Sequence, residues 1–365
     1  MALLWTATNE LVSTAWDRLI VGPRCASWSY TQEALVRILR VVNATGTVEQ
    51  LRANMPETKP EAGCTSEPVA ADAGCPVPCE WVHVTGQPTT AATGAKVIVY
   101  LHGGAFVAGS AATHRQLASR IAVATEARVL LVNYRLAPEF TFPAAMDDTL
   151  AVYSWLVASQ GYNGAKSVAF MGDSAGGGIA LSAAVKLNED LKAAVDQALP
   201  LPACVMLLSP SVDLARSVPV VDNGLDILVP VRSGFDARLM FAGSDEATKN
   251  PLVSPILADL RGLCPLLIHC GSIELFRAPN AAIADKARQA GVTVEYSEYV
   301  RHFLPLFFFF SQYDLNYFLS PTARCPARFP ESAGHISEPG SCLTPSDWFI
   351  CKGASLWIVI ILFQG

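Results

Sequence analysis

Apolar residues recur in two different rhythms along this chain. From the start to about residue 60 the spacing is helical. Glu33 to Val42 places Leu35, Ile38, Leu39 and Val42 on one face of a helix, a stripe that must bury itself against the rest of the chain. From Lys96 the texture changes to short, continuous apolar runs. Val97–Leu101, Val129–Val132, Val168–Met171, Val205–Leu208 and Pro265–His269 each read as a strand buried on both faces. Helical segments alternate with them: Thr113 to Glu126, a helix opened by Pro143, Ala175 to Leu187, and Ala281 to Ala290 closed by Gly291. Val292–Tyr296 alternates apolar and polar, as a strand near an edge does. The pattern predicts an α/β fold with a mostly parallel central sheet and helices on both faces. Pro56 to Cys79, rich in Pro, Gly, Ala and Glu, reads as a connection between the helical start and the sheet.

Composition narrows the function classes. Hydrophobic residues make up 51% and charged residues 16%, enough for a large buried core. The net charge of -6, with no cluster of Lys and Arg, argues against nucleic acid as a partner. No apolar run reaches the roughly 20 residues that span a bilayer; Phe303–Phe310 and Leu356–Phe363 are both shorter. The opening residues lack the basic start and unbroken apolar stretch of a secretory leader. Together these features point to a soluble cytoplasmic protein without stable membrane insertion. Ten cysteines are too dilute for a disulfide scaffold. Cys64, Cys75, Cys79 and His83 fall close together in sequence, but without a Cys-x-x-Cys pair they read as free thiols and a histidine rather than zinc ligands.

Candidate chemistry centres on Gly172-Asp-Ser174-Ala-Gly176, between a predicted strand and a predicted helix. A serine on so sharp a turn needs neighbours nearly free of side chains, and its hydroxyl emerges where a substrate reaches it, off the carboxyl end of the sheet. To attack a carbonyl, a serine needs a base, a carboxylate that orients the base, and fixed donors for the oxyanion. In this architecture the order is serine, then acid, then histidine. Between Gly271 and Ala284 the one carboxylate is Glu274; beyond it the histidines are His302 and His335, of which His302 follows the last predicted strand closely. His269 lies inside a strand, upstream of the acid, and reads as a core histidine. The triad expected is Ser174, Glu274 and His302. Oxyanion donors are expected from the N–H groups of Gly103 and Gly104, just after the strand Val97–Leu101, and from Ala175, next to the nucleophile.

Several motifs then agree in order and spacing. His102-Gly-Gly-Ala105, Tyr134-Arg-Leu-Ala-Pro-Glu139, Phe142-Pro-Ala-Ala145, Gly172-Asp-Ser-Ala-Gly-Gly177 and Pro251-Leu-Val-Ser-Pro255, with the segment Cys270 to Gly291, resemble the hormone-sensitive-lipase-like branch of the α/β-hydrolases over about Lys96 to His302. The resemblance implies an α/β-hydrolase fold with an N-terminal helical cap. It implies hydrolysis of a small-molecule carboxylic ester with neither cofactor nor metal, by the triad Ser174, Glu274 and His302. Most members carry Asp where Glu274 stands, and some carry Glu. Members usually follow the histidine with a small residue and then Phe, whereas Phe303 follows His302 directly here. Phe307 to Gly365 does not resemble the family's closing helix, and five prolines between Ser320 and Lys352 predict poor order there. The expected division is therefore a cap and linker over 1–75, a catalytic domain over 76–310 and an atypical tail over 311–365. Two other readings fit the same scaffold: a non-catalytic small-molecule binder, and a hydrolase of amides, lactones or carbamates using the same triad.

Overall fold

The computed structural model describes residues 2–22, 24, 30–87, 94–220, 222–226, 228 and 235–299. Among the described residues eight strands form one sheet: β1 (Cys64–Pro68), β2 (Cys79–Val84), β3 (Val97–Leu101), β4 (Arg128–Val132), β5 (Val168–Asp173), β6 (Val205–Leu208), β7 (Leu266–Gly271) and β8 (Val294–Tyr299). Their order across the sheet is β1-β2-β4-β3-β5-β6-β7-β8. The ribbon β1–β2 runs antiparallel onto β4, and every other pairing is parallel. The helices are α1 (Ala2–Ile20), α2 (Tyr30–Thr45), α3 (Val48–Asn54), α4 (Ala111–Thr125), α5 (Ala144–Ala158), α6 (Gly164–Ser167), α7 (Ser174–Lys192), α8 (Ala237–Ala242) and α9 (Arg277–Gln289).

The continuous apolar runs become strands because both of their faces are buried. Along β3, Val97, Val99 and Leu101 join the core cluster that also holds Val152 and Leu156 of α5 and Ile179 and Ala183 of α7. The alternate residues Ile98 and Tyr100 point to the other face, where they pack with Leu117 and Ile121 of α4. The period-2 geometry of a strand thus divides one apolar run between two cores.

Two expectations fail at the N-terminal side. Pro56 to Cys79, expected to be a connection, contains β1, so the sheet starts at Cys64, inside the stretch assigned to cap and linker. Cys-Thr-Ser-Glu-Pro lacks an apolar run because β1 is an edge strand, and edge positions accept polar residues and a terminal proline. In α2, the expected buried stripe is not the most buried face. Leu35 is 36% exposed and Ile38 and Leu39 are half-buried, while Glu33, Ala34, Val36 and Arg37 are buried. The packing of α2 on α1 is charged: Arg18 reaches Glu33 at 3.0 Å, and Arg37 bridges Asp17 and Glu33. The side chain of Val42 lies outside the described residues, as do the expected tail and His302. Among the described residues no helix is long and apolar enough to cross a membrane.

The order β4-β3-β5 places a topological switch point between β3 and β5, since the chain leaves β3 to one side for β4 and returns on the other as β5. In open α/β sheets the crevice off the carboxyl ends of such a strand pair is where ligands bind. Leu101 pairs with Gly172, so the loops that follow both strands start side by side.

Candidate active site

Ser174 is the first residue of α7 and has φ +50, a left-handed conformation that few side-chain-bearing residues adopt. Such strain needs surroundings that over-determine it. A Cβ on Gly172 would sit 2.5 Å from the carbonyl carbon of Gly176, and one on Gly176 would sit 2.0 Å from the carbonyl oxygen of Leu101. The two glycines therefore let the first turn of α7 rest directly on the ends of β5 and β3. The Ser174 carbonyl accepts from Ser211 N–H at 2.8 Å, which ties the turn to the loop after β6. Ser174 itself is half-buried at the start of a 19-residue helix. The first four N–H groups of a helix have no intrahelical acceptor, and the helix dipole favours negative charge at that end.

The loop after β3 corrects one expected donor. Gly103 N–H donates to Asp173 Oδ1 at 2.9 Å and is buried, so it is spent inside the protein. The next two residues are half-buried and left-handed, Gly104 at φ +132 and Ala105 at φ +56. Neither of their N–H groups has a hydrogen-bond partner among the described residues. Donor capacity in this loop thus lies at Gly104 and Ala105, one residue further along than the Gly-Gly pair suggests.

Asp173, next to the serine, holds the two loops in register. Its Oδ1 accepts from the Tyr100 hydroxyl at 2.8 Å and from Gly103 N–H, and His114 Nε2 stands at 3.4 Å. Burial alone would raise its carboxyl; His114, Tyr100 and the Gly103 N–H outweigh burial and hold it below the usual carboxylate range. His102 is stacked on Tyr134, with ring centroids 4.3 Å apart, and the Tyr134 hydroxyl donates to the His102 carbonyl at 2.6 Å. Burial, reinforced by His114, pushes His102 down to about 3, so it is neutral and serves as packing. None of these supports was read from the sequence. The signal was a polar residue, Asp173, ending an otherwise apolar strand.

Glu274 stands in the turn between β7 and α9, at the same end of the sheet as Ser174 and with β6 between their strands. It is 5% exposed, and its Oε2 accepts from the Cys270 thiol at 3.2 Å. The peptide groups on either side of it are both held. Asn223 Nδ2 donates to the Ile273 carbonyl at 3.0 Å, and Leu275 N–H donates to Asp226 Oδ2 at 2.6 Å. Asp285, the other carboxylate in the region, is exposed on α9 and paired with Arg288. His269 lies on β7 with Nδ1 3.2 Å from the Tyr299 hydroxyl. Cys64 contacts the Ser119 carbonyl, and Cys75 and Cys79 lie 3.8 Å apart, sulfur to sulfur. Among the described residues no group of His, Cys, Asp and Glu is arranged to hold a metal ion.

The profile of a family described as alpha/beta hydrolase fold matches residues 98–303, which include the loop after β3, the Ser174 turn and Glu274. The chain belongs to the α/β-hydrolase fold family. Within this family it falls in the hormone-sensitive-lipase-like branch. It is 36% identical over 230 residues to an acetyl-hydrolase of Streptomyces hygroscopicus, covering 61% of this chain and 70% of that one. It is 32% identical to an esterase of Acinetobacter venetianus, covering 61% and 71%. A crystal structure of an esterase from the bacterial hormone-sensitive lipase family superposes with a TM-score of 0.63 at 29% identity, covering 98% of both chains. As an α/β-hydrolase, the chain has the Ser174 turn after β5 and the glycine loop after β3 at the switch point of its sheet.

Proposed function

We propose that this chain is a serine carboxylic ester hydrolase acting through an acyl-enzyme. The observation that carries the reading is Ser174 at φ +50, on the first turn of α7 beside a loop whose Gly104 and Ala105 N–H groups have no partner among the described residues. Ser174 Oγ attacks the ester carbonyl carbon while His302 takes its proton. Glu274 orients His302 and stabilises the imidazolium. The N–H groups of Gly104, Ala105 and Ala175 receive the oxyanion, with the positive end of α7 behind them. His302 then returns the proton to the leaving alcohol, and the acyl group stays on Ser174. Water attacks the acyl-enzyme as His302 takes its proton; the acid leaves and the proton returns to Ser174. His302 follows β8 by three residues in sequence and lies outside the described residues. The substrate is a small or medium-sized ester, in keeping with the acetyl-hydrolase and esterase names of the relatives. All six described cysteines are free thiols and four are buried, which suits a reducing compartment and a cytoplasmic location.

The test is Ser174→Ala. Turnover of p-nitrophenyl acetate and butyrate should fall on the order of 10⁴-fold or more, with labelling by a fluorophosphonate probe abolished and the circular dichroism unchanged. A folded variant with parental turnover refutes the assignment.

A further inference from the structure

A strap of side-chain contacts runs from the N-terminal helices to the turn that carries Glu274. It begins at Arg40 on α2. The Arg40 guanidinium pairs with Asp222, donates to the carbonyl of Asp226, and donates to the carbonyl of Leu228 at 3.0 Å. Side chains of the same segment then fold it upon itself: Asp222 Oδ1 accepts from Gly224 N–H at 2.9 Å, and Asn223 Oδ1 from Leu225 N–H at 2.8 Å. From there the contacts cross 50 residues of sequence. Asn223 takes the carbonyl of Ile273, and Asp226 takes the N–H of Leu275. These are the residues immediately before and after Glu274. A carboxylate whose two flanking peptide groups are fixed has its backbone orientation fixed, and its side chain then has few rotamers that keep it buried.

Asp226 is the centre of this arrangement. It is fully buried, with Oδ1 accepting from Leu228 N–H at 3.0 Å and Oδ2 accepting from Leu275 N–H. A buried carboxyl group without structural purpose is rare, because its removal from water is unfavourable unless its oxygens are used. Here both oxygens are used, and one of the two bonds is to the turn of the acid. The mechanism above gives Asp226 no chemical step. Its neighbours are Glu274, whose charge opposes its own ionisation, and Arg40, whose charge favours it.

We propose that Asp226 is a positioning residue for Glu274, and that Arg40 of α2 extends its grip, so that the N-terminal helices set the geometry of the acid. The inference rests on Glu274 being the orienting acid of the esterase reading. An acid moved by about 1 Å leaves its histidine misaligned, a displacement that costs up to about 10²-fold in rate. The effect belongs to the chemical step and leaves ester binding largely alone.

The experiment compares the full-length protein with Asp226→Ala, Asp226→Asn and Arg40→Met, using Ser174→Ala as control. Two readouts are taken: kcat and KM on p-nitrophenyl butyrate, and amide hydrogen exchange of peptides covering 271–277. Expected for Asp226→Ala is a fall in kcat of about 10- to 100-fold with KM within about twofold, together with faster exchange over 271–277, where Leu275 N–H loses its acceptor. Asp226→Asn, which retains one acceptor oxygen, should restore part of the loss, and Arg40→Met should shift both readouts in the same direction but less. Unchanged exchange overturns the grip. Faster exchange with unmoved kcat overturns the positioning role, and if Ser174→Ala is dead in that case, the esterase reading stands without it. A live Ser174→Ala overturns the esterase reading and the proposal together. If Asp226→Ala does not fold, Asp226→Asn and Arg40→Met carry the same two readouts and the same outcomes.

Discussion

Replacing Asp173 with alanine removes the acceptor that joins the Ser174 turn to the loop after β3. The geometry sets the size of the effect. The Tyr100 hydroxyl at 2.8 Å and the Gly103 N–H at 2.9 Å both lose their acceptor, and both belong to buried residues that water does not reach. Each orphaned donor costs about 1–3 kcal/mol, so Asp173→Ala should lose about 2–6 kcal/mol of stability. No helix cap is lost with it, because the Asp173 side chain makes no capping bond to α7. Asp173→Asn is the informative companion. An amide oxygen in the place of Oδ1 keeps both donors satisfied and removes the charge, so the loss should be smaller, about 1–3 kcal/mol. Urea unfolding followed by circular dichroism measures both, and kcat should fall in step as Gly104 and Ala105 lose their fixed position. The pH dependence has a definite sign. A carboxyl held below its ordinary range contributes stability that is present above its unfolded pKa, near 4, and is lost as pH falls through the lower folded value. The acid limb of unfolding should therefore be shallower in Asp173→Asn than in the parent. An Asp173→Ala variant within about 1 kcal/mol of the parent, with unchanged kcat, would refute the idea that this carboxylate holds the two loops together.

Three further outcomes follow from the same geometry. Glu274→Gln should lower kcat sharply with KM little changed, whereas Asp285→Asn, on an exposed ion pair, should behave as the parent in the same ester assay; the reverse result means the acid is misassigned. Burial, with the charge of Glu274 added, pushes Asp226 up to about 8. Its contribution to stability is full below the unfolded pKa near 4 and is lost as pH rises through about 8, so the urea midpoint of the parent should fall more steeply than that of Asp226→Asn between about pH 5 and 8. Gly176→Ala gains about 1 kcal/mol in helix propensity but drives a methyl group to 2.0 Å from the Leu101 carbonyl oxygen. Overpacking of this kind costs about 1–3 kcal/mol, so thermal unfolding should show a net loss and kcat should drop with it.

How much of this was legible along the chain depended on how locally each feature is encoded. The strands from β3 to β7 announced themselves because burial on both faces demands uninterrupted apolar residues, as in Val97–Leu101. Strand β1 did not, because an edge strand is free to be polar and Cys64–Pro68 is. The strand-to-helix turn at Ser174 was readable from its Gly-x-Ser-x-Gly signature, and the placing of Glu274 after β7 from its order along the chain. The commitment of Gly103 N–H was not, since it depends on a carboxylate 70 residues away in sequence. The buried face of α2 was misread for a related reason. Its apolar residues suggested a hydrophobic stripe, while the contacts with α1 run through Glu33 and Arg37, whose partners lie on another helix. Asp226 gave no sign in the sequence, since its burial and its pairing with Leu275 N–H depend on residues about 50 positions further along the chain.

The close seating of α7 on the sheet also separates two kinds of information carried by one pentapeptide. Gly172 and Gly176 are dictated by distances between main chains: a side chain at either place collides with backbone whether or not any reaction occurs. Ser174 is under no such compulsion, since alanine fits wherever serine does. A descendant of this chain that abandoned chemistry would remain obliged to keep both glycines and would be free to let the serine go. Within Gly-x-Ser-x-Gly, then, the glycines are a record of architecture and, on the proposed esterase reading, the serine is a record of use, and the two have separate histories even though they are read as one word.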